Sequence, residues 1–280
     1  MEALVYDGPE VLNFRDMPRP DGADGDTVVR VHAVGICGSD MHAFWGHDDR
    51  RPAPLILGHE VAGVIETGPR AGERVTVNPL VTPTDCPTVQ AGRDNLSLDR
   101  QIISMPPRQG GFAQYISLPD ANLIPLADHL SFEQGALAEP IACGWHCVRL
   151  VRETAKNLGH CLVIGGGAIG LGAALCAKAQ GANAVTIMEP NALRATYLRN
   201  ACGQTVVHPD DLPADQIFDT VIDGVGYPAT RATATAQVKP GGVIGHIGLG
   251  SGEGGLDIRR MTLQEITFIG TYTYTMQDFR

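Results

Sequence analysis

Hydrophobic and polar positions follow different patterns in the two halves of the chain. The first half contains short runs rich in β-branched residues, and 14 of the 19 prolines lie within residues 1–140. Runs of this kind, separated by turn residues, predict strands joined by loops. The predicted elements are strands 27–34, 60–67, 74–77 and 112–116, followed by a helix over 132–150.

The second half alternates apolar runs with helical stretches. Strands in regular alternation with helices indicate βαβ units and a parallel sheet. We therefore predict two domains, 1–150 and 151–280, with the boundary after the helix that ends near residue 150. The predicted strands are 160–164, 184–188, 218–223, 242–249 and 266–274, and the predicted helices are 170–180, 192–200 and 229–238.

Charge and composition narrow the class of protein. The chain has 31 acidic and 21 basic residues, a formal net charge of −10, which argues against nucleic acid and anionic membranes as partners. No apolar run is long enough to cross a bilayer, and the N-terminus lacks the features of a signal peptide, so the expected location is the cytoplasm. Seven cysteines at irregular spacing indicate reduced thiols and a metal site.

A glycine motif of the form G-x-G-x-x-G occurs at Gly165, Gly167 and Gly170. It follows an apolar strand and precedes an alanine-rich helix, which is the context of a dinucleotide-binding turn. The helix N-terminus would present free N–H groups and a positive dipole end to the pyrophosphate. The residues expected at this turn are Gly165, Gly167, Ala168, Ile169 and Gly170.

An acidic residue supports the same hypothesis. Glu189 follows the next predicted strand, 19 residues after Gly170, close to the spacing of an acid that binds the adenosine ribose. Such a carboxylate favours NAD and repels the additional phosphate of NADP. Arg194 is either a solvated helix cation or a contact for that phosphate. A glycine-rich turn followed by a solvated glutamate is the simpler alternative.

Metal-ligand residues lie in three separate segments of the first half. They are Cys37 in GICGSDMHAF, His59 and Glu60 in ILGHEVAGVIE, and Glu139 in GALAEPIACGWH. Thiolate, imidazole and carboxylate together suit zinc, and three protein ligands plus a replaceable water are typical of a catalytic site. Each residue taken singly has a simpler explanation, such as a core cysteine or a local hydrogen bond.

These motifs together resemble the zinc-dependent medium-chain alcohol and polyol dehydrogenases. The resemblance covers nearly the whole chain and implies a GroES-like catalytic domain followed by a Rossmann domain, with substrate and zinc between them. It implies Cys37 and His59 as zinc ligands, Glu60 as a ligand or an exchangeable neighbour, and Glu139 as the acid typical of sorbitol-type enzymes. The matching motifs occupy 35–42, 58–63, 78–80, 91–96, 139–140 and 165–170.

The resemblance also implies an activity. We expect hydride transfer from a zinc-bound polyol or secondary alcohol to NAD, in a homo-oligomer that is a dimer or a tetramer. Ser39 is placed to take the alcohol proton, His42 to pass it on, and Asp40 to orient His59. Hydrogen bonding within a turn is the simpler explanation of Ser39 and His42.

Two segments depart from the family pattern. Many members hold a second zinc with four cysteines, but the corresponding positions here are Pro83, Cys86, Val89 and Ser97, which cannot form that site. The chain also stops at Arg280, where family members continue back into the catalytic domain, so the return segment is expected to be missing.

Three other functions compete with this reading. A threonine 3-dehydrogenase-like oxidation of an amino alcohol is close to it chemically. A zinc-free reductase of the same superfamily would lack the ligands Cys37, His59 and Glu60. A truncated, inactive dinucleotide-binding remnant is the third alternative.

Overall fold

The computed structural model of the protein describes residues 1–22 and 25–280, which form two compact units. Unit 1 comprises Met1–Glu139 with Thr275–Arg280, and unit 2 comprises Pro140–Tyr274. The boundary thus falls at residues 139 and 140, whereas the sequence predicted it near 150. The reason is that helix α4 (Ala138–Ala155) packs Val148 and Val151 into the core of unit 2.

Unit 1 is built from antiparallel sheets. The five-stranded sheet has the order β10-β6-β5-β3-β9, and a three-stranded sheet has the order β2-β1-β4. Branched aliphatic side chains, among them Val29, Val61 and Val75, form the core of the larger sheet. The elements of unit 1 are β1 (Glu2–Gly8), β2 (Val11–Asp16), β3 (Asp26–Gly35), α1 (Gly38–Phe44), β4 (Leu55–Ile56), β5 (Glu60–Ile65), β6 (Arg74–Val77), β7 (Leu80–Val81), α2 (Pro87–Gln90), β8 (Gln101–Ile102), β9 (Tyr115–Pro119), β10 (Leu123–Pro125), α3 (Phe132–Ala136) and, at the C-terminus, α9 (Met276–Phe279).

Unit 2 contains the predicted parallel sheet, which is confirmed. Its six strands have the order β13-β12-β11-β14-β15-β16, and every neighbouring pair is parallel. Counted along the unit, this is the order 3-2-1-4-5-6 of a doubly wound dinucleotide-binding sheet. Besides α4, its elements are β11 (His160–Ile164), α5 (Ala168–Ala179), β12 (Ala184–Met188), α6 (Ala192–Asn200), β13 (Thr205–Val207), β14 (Phe218–Asp223), α7 (Pro228–Gln237), β15 (Val238–His246), α8 (Ile258–Leu263) and β16 (Thr267–Gly270).

The strand order identifies the edge of the sheet at which doubly wound folds bind their ligands. The chain leaves β11 on one side and β14 on the other, so the crevice between their carboxyl ends is the switch point. Gly165 follows β11 directly, and Gly224 follows β14. The backbone N–H of Gly224 donates to the carbonyl of Ile164 at 3.1 Å, which holds the two loops together at this edge.

The last six residues return to unit 1. Thr275 and Asp278 form a capping box around α9, and the backbone N–H of Met276 donates to Asp94 Oδ2 at 2.8 Å. The Asn78 amide lies 3.4 Å from the sulfur of Met276, and Phe279 is buried. The sequence assigned this segment to the second domain, but polar contacts and burial place it in unit 1.

Within the described residues, no helix is both long enough and apolar enough to span a bilayer.

Candidate active site

Three predicted ligand residues lie together in unit 1. The Sγ of Cys37, an imidazole nitrogen of His59 and a carboxylate oxygen of Glu60 all lie within 4.8 Å of one another. In residues 1–22 and 25–280, this is the one group of three or more such side chains close enough to share a metal ion. His59 and Glu60 are buried, and Cys37 is partly buried.

The pairing of β3 with β5 explains why residues so distant in sequence meet. Gly35, at the end of β3, lies opposite Glu60, at the start of β5. Cys37 follows two residues later as the N-cap of α1. A Cβ atom at position 35 would lie 1.9 Å from Glu60 Oε2, so glycine is required there for the Glu60 side chain to occupy its place.

Asp40 orients the segments that carry Cys37 and His59. This buried carboxylate accepts hydrogen bonds from the backbone N–H of Cys37 at 2.9 Å and of Gly58 at 3.1 Å. Its Oδ1 also lies 3.6 Å from His59 Nδ1. Burial alone would raise the pKa of Asp40, but the hydrogen bond and charge of His59 and the two backbone donors bring it below its usual value.

The electrostatics of this cluster favour a bound cation. Burial and the charge of Glu139 raise the pKa of Glu60 to about 7, against the opposing charge of His59. Burial alone would lower the pKa of His59, yet hydrogen bonds to Asp40 and Cys37 and the charge of Glu139 raise it well above its usual value. Glu139 is itself buried in the first turn of α4. Crowded acids of this kind exchange their protons for a divalent metal ion.

The predicted proton-transfer residues both lie on α1. Ser39 is partly buried, and its Oγ accepts a hydrogen bond from Arg51 Nη2 at 3.4 Å. His42 lies three residues further on and is exposed. Residues three apart share one face of a helix, so the two side chains project from the same side of α1.

Two residues next to this cluster, Ser104 and Arg51, were not predicted from the sequence. Ser104 is fully buried, and its Oγ lies 3.5 Å from His59 Nδ1. Arg51 is also buried, and it donates to the Ser104 carbonyl at 3.1 Å and pairs with Asp48. No motif or spacing rule marks these positions, because Ser104 reaches His59 across 45 residues of chain.

The glycine motif forms the expected strand-to-helix turn in unit 2. Gly165 has a φ of +90°, which favours glycine, and Gly167 is the N-cap of α5. A Cβ atom on Gly170 would lie 1.8 Å from the carbonyl oxygen of Gly165. Ala168 and Ile169 form the first turn of α5, where backbone N–H groups are free to bind phosphate.

Glu189 lies directly against this turn. Its Oε2 accepts the backbone N–H of Gly166 at 2.8 Å, and its Oε1 accepts that of Asn191 at 2.8 Å. Arg194 Nη1 pairs with the same carboxylate at 3.2 Å. Burial alone would raise the pKa of Glu189, but the backbone hydrogen bonds and Arg194 bring it below its usual value. The acid is therefore ionised and held beside the glycine loop.

The lobe that departs from the family pattern is held by hydrogen bonds. Cys86 Sγ lies 3.1 Å from Thr88 Oγ1 and 3.5 Å from Ser97 Oγ. Arg100 reinforces the turn by donating to the Ser97 carbonyl at 2.6 Å. A thiol and a hydroxyl thus meet at two of the four positions where zinc is bound in many family members.

Comparison with known proteins identifies the family. Residues 23–128 match the family model "Alcohol dehydrogenase GroES-like domain", and residues 168–280 match "Zinc-binding dehydrogenase". L-galactonate-5-dehydrogenase of Escherichia coli K12 is 30% identical over 294 residues, covering 100% of this chain and 85% of that protein. Sorbitol dehydrogenase of Bacillus subtilis is 31% identical over 293 residues, covering 98% and 82%.

Solved structures agree with this fold. A Sinorhizobium meliloti 1021 protein bound to NADP superposes with a TM-score of 0.89 at 28% identity, covering 100% of this chain and 86% of that one. Galactitol-1-phosphate dehydrogenase of Escherichia coli superposes with a TM-score of 0.90 at 24% identity, over 100% and 86%. The chain belongs to the zinc-binding alcohol dehydrogenase family and is an oxidoreductase.

Proposed function

We propose that this protein oxidises a polyol or a secondary alcohol to the carbonyl compound and reduces NAD. The observation that carries the proposal is the cluster of Cys37, His59 and Glu60, whose ligand atoms lie within 4.8 Å of one another. The relatives support the substrate class, since they include enzymes named sorbitol dehydrogenase and D-xylulose reductase. As part of the same proposal, the enzyme works in the cytoplasm as a homo-oligomer.

The donor set fits one catalytic zinc ion. A thiol, an imidazole and a carboxylate are the ligands that zinc prefers. Burial first, and then the charge of Glu139, raises the pKa of Glu60 to about 7, and a bound zinc ion would offset both by pairing with the carboxylate. His59 Nδ1 faces Asp40 and Ser104, which leaves Nε2 for the metal. We assign Cys37 and His59 as ligands, with Glu60 and Glu139 as the acids that complete or neutralise the site.

The chain's own residues account for the transfer of the proton. A bound zinc ion supplies Lewis acidity that lowers the pKa of an alcohol hydroxyl. Ser39 Oγ accepts the hydroxyl proton as it releases its own proton to water or His42. A nicotinamide cofactor held at the glycine turn would take the hydride, with its electron pair, from the carbinol carbon. Alcohol and NAD are thereby converted to carbonyl compound, reduced cofactor and one proton.

Glu189 supports NAD as the preferred cofactor. Its carboxylate is ionised beside the glycine loop, where it can accept hydrogen bonds from ribose hydroxyls. Arg194 is paired with Glu189, so its charge is compensated before any phosphate arrives. The additional phosphate of NADP would therefore be repelled by the Glu189 carboxylate. We therefore assign Glu189 and the turn Gly165–Gly170 to the cofactor.

A substrate panel with metal analysis tests the proposal. Polyols, secondary alcohols and L-threonine are supplied with NAD or NADP, and reduced cofactor is followed by its absorbance. The expected result is turnover with a polyol or a secondary alcohol, faster with NAD, and one zinc ion per chain by elemental analysis. Turnover with L-threonine alone would favour the amino-alcohol alternative. Cofactor binding without any turnover would favour the inactive remnant.

A further inference from the structure

A buried arginine, Arg51, contacts both Ser39, the predicted proton acceptor, and Ser104, which lies beside His59. Arg51 is 3% exposed, and each of its three guanidinium nitrogens has a different partner. Nε donates to the Ser104 carbonyl at 3.1 Å, Nη2 donates to Ser39 Oγ at 3.4 Å, and Nη1 pairs with Asp48 Oδ2. The planar fork of a guanidinium can meet three such partners at once, which an ammonium group cannot do in the same geometry.

The charge of Arg51 is already neutralised inside the protein. The Asp48 carboxylate is nearly buried, and it also accepts from the backbone and side chain of Arg50. A buried cation whose charge is already paired with a carboxylate has little unbalanced charge left for an anionic ligand. Its geometry therefore suits a positioning role and not the binding of a substrate phosphate or carboxylate.

The contact with Ser39 limits how that hydroxyl can bond. A serine hydroxyl has one donor and two acceptor positions. Because Arg51 Nη2 occupies one acceptor position, the other remains for an incoming proton, and the hydroxyl hydrogen can point to a proton acceptor. A hydroxyl held in this way can accept a proton on one side while it donates its own on the other.

The contact with Ser104 extends to the imidazole of His59. Ser104 has a φ of +65°, a left-handed conformation that is costly for a residue other than glycine. Arg51 Nε bonds the carbonyl of this residue, and the Ser104 hydroxyl lies 3.5 Å from His59 Nδ1. Arg51 thus stabilises the backbone conformation that places this hydroxyl beside the imidazole.

We infer that Arg51 is a positioning residue that fixes Ser39 Oγ for proton transfer and, through Ser104, fixes the imidazole of His59 for the metal. This inference rests on the proposed function, because it assigns a role toward the same zinc site. Arg51 lies outside the ligand and glycine motifs. Its contact with Ser39 should affect kcat, and its contact with Ser104 should affect the affinity for zinc.

The main variant is Arg51→Lys, which keeps a cation for Asp48 but loses the fork. We expect kcat to fall about 10- to 100-fold, the range seen when outer partners of a metal site are removed. The KM for NAD should stay within about twofold, because Arg51 lies in unit 1. The zinc dissociation constant, measured by competition with a chromophoric chelator, should rise by about tenfold. A second variant, Asp48→Asn with Arg51→Met, removes both charges and should show the same losses if the lysine variant folds poorly.

Two comparisons separate positioning from general stability. Arg74→Met is the matched control, since Arg74 also donates to backbone carbonyls of unit 1, those of Ala127, Asp128 and Leu130, away from the zinc cluster. In a Ser39→Ala background assayed with zinc in excess, Arg51→Lys should lower kcat by less than about threefold further, because the Ser39 branch is already lost and the excess zinc compensates for the weaker metal affinity. Equal losses in both backgrounds, or a zinc affinity equal to that of Arg74→Met, would overturn the inference.

The same experiment distinguishes this inference from the proposed function. If the unmodified protein turns over none of the alcohols, the proposed function fails, and the zinc competition decides the inference about Arg51 by itself. If the unmodified protein is active and Arg51→Lys matches Arg74→Met in kcat and in zinc affinity, the inference fails and the proposed function stands.

Discussion

Each candidate ligand residue occupies an environment that its neighbours dictate. Cys37 is the N-cap of α1, where its backbone N–H donates to Asp40. Cys86 also precedes a short helix, but its partners are the hydroxyls of Thr88 and Ser97. The hydrogen bond with Ser97, and then that with Thr88, lowers the pKa of Cys86. Among residues 1–22 and 25–280, however, the group that could hold a metal ion contains Cys37, His59 and Glu60 and does not include Cys86.

The two cysteines should therefore respond oppositely to substitution. We expect Cys37→Ala to remove most of the zinc and nearly all turnover, because too few anionic ligands remain to hold the ion. Cys86→Ala is the matched control and should keep one zinc ion per chain. Elemental analysis of both purified variants, together with turnover, checks this. Zinc retained in Cys37→Ala but lost in Cys86→Ala would place the metal in the lobe instead.

Glu189 allows a residue-level test of cofactor preference. Replacing Glu189 with Ala should raise the KM for NAD roughly tenfold, since a hydrogen bond to a charged group contributes about 1.5 kcal/mol or more. The KM for NADP should fall or stay unchanged, because a repulsive charge is removed and Arg194 is released. The comparison is the ratio of kcat/KM for the two cofactors.

A second acid provides the control for this measurement. Glu153 also pairs with an arginine in unit 2, Arg149 at 2.9 Å, but lies on α4 and not beside the glycine loop. Glu153→Ala should leave the cofactor ratio unaltered. An unaltered ratio in Glu189→Ala as well would mean that this carboxylate does not meet the ribose.

Elements buried on both faces were the easiest to predict. Strands β11, β12 and β14 have the bounds predicted from the sequence, because short, largely apolar runs between glycine or polar residues mark a parallel strand. By contrast, β2 was not predicted, since its residues are exposed and Val11, Leu12 and Phe14 give no alternating pattern. Exposed edge strands carry little of the burial signal on which sequence reasoning depends.

Local conformation explains two of the shifts in element bounds. Other bounds moved as well: the strand predicted over 112–116 is β9 at 115–119, and the one predicted over 242–249 is β15 at 238–246. The helix predicted over 132–150 is two helices, α3 and α4, because the chain leaves regular helix at Leu137. The last strand was predicted over 266–274 but ends at Gly270, and Thr273 adopts a φ of +47° before α9 begins. A run of alternating threonine and tyrosine resembles a strand, and only tertiary contacts of α9 with Asn78 and Asp94 decide otherwise.

In the candidate site too, some residues could be predicted from the sequence and others could not. Motif spacing predicted Cys37, His59 and Glu60, which the structure brings together, and their assignment as zinc ligands stays a prediction. Spacing did not predict Ser104 or Arg51, because both reach the cluster from loops without a periodic pattern. Asp40 was predicted to orient His59 because it lies in the same motif as Cys37, whereas Ser104 and Arg51 were found only through their contacts.

Helix α5 offers a test in which two glycines of one helix are compared. A Cβ atom on Gly170 would lie 1.8 Å from the Gly165 carbonyl, whereas one on Gly172 would lie 3.5 Å from the Pro140 carbonyl, an ordinary contact. Gly170→Ala should therefore displace the glycine turn and weaken NAD binding by about tenfold or more. Gly172→Ala should bind NAD normally and gain about 0.5–1 kcal/mol of helix stability. Calorimetric NAD titration and thermal melting measure both. Equal NAD affinity in the two variants would show that the turn tolerates a methyl group.

At the scale of the whole molecule, the candidate zinc site and the candidate cofactor site belong to separate units. The candidate zinc residues lie in Met1–Glu139, and the candidate cofactor residues lie in Pro140–Tyr274. The chain passes from unit 1 to unit 2 once, at residues 139 and 140, and returns once, at residues 274 and 275. Each unit has its own hydrophobic core, led by Val29 and Val61 in unit 1 and by Cys161 and Val163 in unit 2. A unit with its own core can keep its binding site when the other site is damaged.

Removing the metal should therefore abolish turnover and leave cofactor binding nearly intact. After treatment with a zinc chelator, or in Cys37→Ala, we expect no alcohol oxidation but an NAD dissociation constant within about threefold of the original, because 1.4 kcal/mol of coupling would be needed for a tenfold change. Gly170→Ala should show the reverse: one zinc ion per chain with weakened NAD binding. The measurements are calorimetric NAD titration and elemental analysis on the same preparations. Zinc removal that weakens NAD binding tenfold, or loss of zinc in Gly170→Ala, would show that the two sites are energetically coupled and that neither unit holds its ligand independently.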